Sequence, residues 1–119
     1  MKLNWVTLNV RDLEKSLYFY TKVLKLNISA RFGDENHQIV MLGEANGTKI
    51  ELIFEPNAQI ENPGNGVSIG LETDNLEKLI DELKNMGYRV TGPVSPNSHI
   101  RFFFVQDPDG YTIQLIEQK

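Results

Sequence analysis

The chain repeats itself, and that most limits what it can become. A shift of 63 residues carries Asp12-Leu13-Glu14-Lys15 onto Asn75-Leu76-Glu77-Lys78 without a gap. The same shift lays Val6, Leu8 and Leu17 on Ile69, Leu71 and Ile80, and Gly47 on Gly110. It lays Ile50-Glu51-Leu52-Ile53 on Ile113-Gln114-Leu115-Ile116. Agreement at cap, turn and core positions together means that one supersecondary unit is used twice. Whatever the first copy does with its backbone, the second must do as well.

Local patterns give the order of elements within a copy. Leu3 to Val10 alternates and reads as a strand. Asp12 is an N-cap, and Leu13, Leu17, Tyr20 and Leu24 recur at helical spacing, so a helix is expected over 13–25. Short strands follow at 28–32, 38–42 and 49–54, the last two joined by the Ala45-Asn46-Gly47 turn. Residues 56–66 hold two prolines and two glycines and read as a loop. In the second copy the strand is 67–72, the N-cap Asn75, and the helix ends at Gly87. A short strand is expected at 88–91, a loop at 92–98, and strands at 100–106 and 111–116. The last turn, Asp107-Pro108-Asp109-Gly110, has a mechanism: Pro108 presets φ and Gly110 supplies a positive φ.

Each copy is therefore a βαβββ unit, and the fold class is α+β: two tandem modules forming a curled mixed sheet around a cavity. We read 1–119 as a single domain, with module 1 at 1–56, a linker at 57–66 and module 2 at 67–119. One helix covers only one face of four strands. If the face with Val6, Leu8, Ile50, Leu52, Ile69, Leu71, Ile113 and Leu115 packs under the helices, the other is left open. That open face carries Trp5, Thr7, Glu51, Ser68, Thr112, Gln114 and Ile116. Gln38, Val40 and Leu42, with their repeat mates Arg101, Phe103 and Val105, are expected to complete it. Phe102 and Phe104 are expected in the core. A part-apolar face with a few polar groups suits a small-molecule pocket.

Charge and composition remove several function classes. The net charge of −4 disfavours nucleic acid, which needs a concentrated basic surface. The lack of cysteine removes disulfides, thiolate metal sites and cysteine catalysis. No apolar run approaches a membrane span, and no signal-peptide core follows Met1. A cytoplasmic protein without membrane or nucleic-acid partners is expected. No Ser-His-Asp set, phosphate loop or dinucleotide fingerprint is present.

The run Leu8-x-Val10-x-Asp12-Leu13-x-x-Ser16-x-x-Phe19-Tyr20 resembles the opening of the vicinal oxygen chelate superfamily. Phe104-Val105-Gln106-Asp107-Pro108-Asp109-Gly110-Tyr111-x-Ile113-x-Leu115 resembles its closing motif. The superfamily includes glyoxalase I, bleomycin-resistance proteins, fosfomycin-resistance enzymes and extradiol dioxygenases. The resemblance implies two βαβββ modules and a homodimer. It also implies, in the metal-dependent members, two ligands per module, whose positions here fall on Trp5, Glu51, Ser68 and Gln114. Only Glu51 is a strong ligand type, since Trp5 offers just an N–H donor. No cofactor is therefore expected, with a divalent metal as the lesser alternative.

The expected function is a small-molecule-binding protein resembling the metal-free bleomycin-resistance members. The alternative is a metal-dependent glyoxalase-type lyase or isomerase with an atypical site, in which Glu51 is the catalytic base. Either way the ligand-binding candidates are Trp5, Thr7, Glu51, Ser68, Arg101, Phe103 and Gln114. Trp5 is an aromatic wall or a dimer contact. Arg101 is an anion clamp or a solvated charge. Glu51 is a base or the partner of Lys49, of Arg101 or of a group on a second subunit. His37 and His99 are expected in exposed turns, and Asp107 and Asp109 as turn formers.

Overall fold

Residues 1–119 are all described in the structure, a computed structural model. The chain divides into two compact units, Met1–Pro63 and Gly64–Lys119. The strands form two separate four-stranded sheets, one in each unit, instead of one continuous sheet.

The first unit runs β1 (Trp5–Val10), α1 (Leu13–Leu17), a π-helical segment (Tyr18–Val23), β2 (Ile28–Asp34), β3 (His37–Leu42) and β4 (Lys49–Phe54). Its sheet order is β1-β4-β3-β2, with β1 parallel to β4 and the other pairs antiparallel. Asp12 caps α1 by accepting the Lys15 N–H at 3.1 Å. Leu8, Val10, Ile50 and Leu52 are buried with Leu13, Leu17, Phe19, Tyr20 and Val23 of the helical segment, as the alternation required.

The helix departs from the expected pattern in its second half. Thr21 donates its hydroxyl back to the Leu17 carbonyl at 2.6 Å, a contact that loosens the i→i+4 ladder. The backbone then widens, and Leu24 N–H reaches the Phe19 carbonyl five residues back at 2.9 Å. Phe19, Tyr20 and Val23 of this segment are buried, while Leu24 is only half-buried.

The second unit runs β5 (Ser68–Glu72), α2 (Leu76–Asn85), β6 (Thr91–Asn97), β7 (Ile100–Gln106) and β8 (Thr112–Gln118), with sheet order β5-β8-β7-β6. Asn75 caps α2 through the Lys78 N–H at 3.2 Å, the same contact that Asp12 makes one repeat earlier. Leu76, Ile80 and Leu83 are buried with Phe103, Val105, Ile113 and Leu115.

The last turn is built as its residues dictate. Asp107 Oδ1 accepts the N–H groups of Asp109 and Tyr111, both at 2.9 Å, and Gly110 holds φ at +92°. Gly110 N–H bonds the Asp107 carbonyl at 3.0 Å, as Gly47 N–H bonds that of Glu44 at 3.0 Å. Gly64 passes so close that an added Cβ would run into the Gly110 carbonyl and lie 2.8 Å from Tyr111 Cα. Backbone on that scale cannot swing aside, so Gly64→Ala is expected to destabilise by about 1–3 kcal/mol. A urea melt with an unchanged midpoint would show that the contact yields freely.

Two expectations about strands need correction. The strand expected at 88–91 lies instead at Thr91–Asn97, in the stretch read as a loop. Pro93 and Pro96 are tolerated because β6 is an edge strand with an interrupted register. The faces of β3 and β7 are also reversed from expectation. Val40 stands opposite Leu52 and Leu42 opposite Ile50, so both share the buried face. In β7, Phe103 stands opposite Leu115 and Val105 opposite Ile113, whereas Phe102 and Phe104 stand opposite Ile116 and Gln114. Runs such as Ile39-Val40-Met41-Leu42 are apolar at both parities, so alternation selects no face and the pairing register decides.

Candidate functional site

In the first unit the face away from the helix is formed by Trp5 and Thr7 of β1, Glu51 and Ile53 of β4, and Ile39 and Met41 of β3. The parallel register sets Thr7 beside Glu51, and the antiparallel one sets Met41 on its other side. The Thr7 hydroxyl donates to Glu51 Oε1 at 2.6 Å. Glu51 Oε2 has no partner, and the residue is half-buried. Neither expected cation neutralises it. Lys49 Nζ donates to the carbonyls of Ala45 and Gly47, both at 3.0 Å, and so closes its own turn. Trp5 is 50% exposed, a large ring on edge strand β1.

In the second unit the corresponding face carries Ser68 of β5, Gln114 and Ile116 of β8, and Phe102 and Phe104 of β7. Gln114 Nε2 donates to Ser68 Oγ at 2.8 Å, a neutral pair where the repeat would place a second carboxylate. Phe102 and Phe104 meet edge to face, 5.4 Å apart at 90°. Gly70 stands opposite Gln114 on the edge strand β5, and a Cβ there would stand 2.7 Å from Ile116 Cδ1.

Arg101 and Phe103 do not join this face. Phe103 is 8% exposed in the core. Arg101 pairs with Glu77 of α2 at 2.6 Å and with Glu117 at 3.5 Å. The hydrogen bond that Arg101 donates to Glu77, aided by the charges of Glu77 and Glu117, holds the guanidinium above its ordinary pKa. Arg101 is thus engaged in tying α2 to β8 and is spent as a clamp on the Gln114 side. The sequence reading missed Met41, Phe102 and Phe104, which the pairing register would have found.

The residues at the family's metal positions do not fit a divalent ion. The first unit offers one carboxylate beside an indole, and the second a hydroxyl already bonded to an amide. An open catalytic site needs about three good protein ligands. No cluster of three or more His, Cys, Asp or Glu side chains is placed to hold an ion. The histidines are exposed at strand ends: His37 opens β3 and faces Glu55 at 3.3 Å, and His99 lies just before β7 with its N–H bonded to Asn97.

Comparison with known proteins places this geometry in context. The chain is 35% identical to the lactoylglutathione lyase of Salmonella typhimurium over 128 aligned positions, covering 100% of this chain and 94% of the relative. Among solved structures, glyoxalase I of Leishmania major superposes with a TM-score of 0.82 at 21% identity, covering 98% of this chain and 86% of that one. An antibiotic-binding protein from Streptomyces superposes with a TM-score of 0.77 at 21% identity, covering 100% and 97%. The fold is therefore glyoxalase-like, and it is shared by a lyase and a binder. The sequence relatives are lyases, which favours the lyase alternative over the metal-free binder expected first. Residues 2–115 match the family model, and the chain belongs to the Glyoxalase/Bleomycin resistance protein/Dioxygenase superfamily.

Proposed function

We propose that this chain is a glyoxalase-type lyase or isomerase in which Glu51 moves a proton between adjacent carbons of a small substrate. One observation carries the reading: Glu51 has one oxygen anchored by Thr7 and the other unpartnered on an open sheet face. A carboxylate held at one oxygen presents the other in a fixed direction, which a general base requires. The lyase relatives supply the substrate class. Lactoylglutathione is a thioester of a 2-hydroxy acid. Its isomer is the hemithioacetal of glutathione and methylglyoxal, which falls apart to the thiol and the oxoaldehyde. Interconversion takes a proton from the thiol-bearing carbon and returns one to its neighbour, while a hydroxyl proton passes from one oxygen to the other. No oxidant or reductant is consumed. Because the side chains present do not fit a metal, no step is assigned to one.

Trp5 and Thr7 remain the proposed ligand contacts in the first unit, and Ser68 and Gln114 in the second. Pairing of two copies is the proposed assembly, in keeping with exposed Leu3 and Trp5 at the β1 edge. The setting we propose is cytoplasmic; no helix is long and apolar enough to cross a membrane.

The test is turnover of the glutathione–methylglyoxal hemithioacetal to lactoylglutathione, measured with chelator and again with added Ni²⁺ or Zn²⁺. Turnover that survives the chelator is expected. Turnover only with added metal would keep the lyase reading and overturn the poor metal fit. No turnover under either condition would sink the lyase reading and return the chain to the binder class.

A further inference from the structure

The second unit holds a cavity of about 450 Å³, of the size that ligand pockets occupy. Its walls include Tyr88 and Arg89 from the segment after α2, Thr91 of β6, Phe104 and Gln106 of β7, and Thr112 of β8. Thr91 pairs with Phe104 and Gln106 with Thr112, so these four share the sheet face that carries Gln114.

The charge of this wall is unusual for the molecule. The sequence has 16 acidic residues against 12 lysines and arginines, yet the cavity is lined by an arginine and no carboxylate. The other three arginines are all engaged. Arg11 donates to the Ile60 carbonyl at 2.7 Å, Arg31 meets Glu14 at 3.4 Å, and Arg101 meets Glu77 at 2.6 Å. Arg89 alone has neither hydrogen bond nor ion pair. An unneutralised guanidinium at a part-apolar cavity offers a planar fork to a carboxylate. Phe104 supplies the apolar surface beside it, and Thr91, Gln106 and Thr112 supply neutral polar groups.

We infer that this cavity binds a small organic carboxylate carrying a flat or apolar group, with Arg89 meeting the anion and Phe104 the apolar part. The inference uses residues of the second unit only and stands apart from the proton transfer proposed for Glu51. It is tested by following backbone amide resonances of the full chain during titration with phenylacetate and with its neutral isostere phenylacetamide. Saturable shifts are expected at Thr91, Phe104, Gln106 and Thr112. Phenylacetate should bind about tenfold more tightly than phenylacetamide, and Arg89→Gln should remove that difference, as loss of one charge-assisted contact implies. Arg89 is exposed and unpaired, so the variant should fold normally. Absence of shifts at these residues overturns the inference. So does an Arg89→Gln variant that binds phenylacetate as tightly as the parent.

Discussion

Glu51→Gln is expected to lower turnover of the hemithioacetal by about 10²- to 10⁴-fold, the range in which positioned general bases contribute. The substitution keeps shape and volume, and the Thr7 hydroxyl at 2.6 Å can still donate to the new amide oxygen. What disappears is the basicity of the second oxygen, the one that points at no protein partner. The loss should therefore fall on kcat, with KM little changed, because a proton-transfer group acts mainly in the transition state. Stability should shift by no more than about 0.5 kcal/mol, since Glu51 is half-buried and makes no ion pair. Thr7→Val provides a graded control: it leaves the carboxylate but frees it to rotate, so a smaller drop in kcat is expected. A Glu51→Gln protein with unaltered kcat would show that the proton is carried by another group.

Much of the fold could be read from the chain because the repeat is ungapped. Asp12 and Asn75 cap their helices through the same backbone contact, and Gly47 and Gly110 close the same turn. The repeat was even stronger than local chemistry. β2 at Ile28–Asp34, shifted by 63 residues, lands on Thr91–Asn97, where β6 lies. Local reading preferred a loop there because prolines and a glycine interrupt the run, and those residues are compatible with a strand only at a sheet edge. The site was less legible. Thr7 and Glu51 were placed on the correct face because β1 and β4 alternate strictly. Arg101 and Phe103 were not, because β7 is apolar at neighbouring positions and its face depends on register against β8. The pairing of Lys49 with its own turn, and of Arg101 with Glu77, are tertiary choices that no spacing encodes. Arg89 carries no local motif at all, and only the cavity beside it draws notice.

Phe19→Ala is expected to cost about 3–5 kcal/mol, the toll of deleting a fully enclosed aromatic ring. Phe19 is fully buried and meets the Tyr20 ring edge to face at 5.0 Å and 87°. Both rings lie in the π-helical segment Tyr18–Val23 and are buried together in the core of the first unit. Removing the ring leaves a cavity and also removes the edge-to-face partner of Tyr20, a further contribution of about 0.5–1.5 kcal/mol. Set against a total stability of about 5–15 kcal/mol, the variant should be near the limit of folding. For a chain of this size the melting temperature should fall by about 10–20 °C. Tyr18→Ala is the control, since Tyr18 is the neighbouring aromatic and is 57% exposed; its change should stay within about 0.5 kcal/mol. Urea melts of both variants decide the matter. If the two substitutions cost the same, Phe19 does not fill the core in solution.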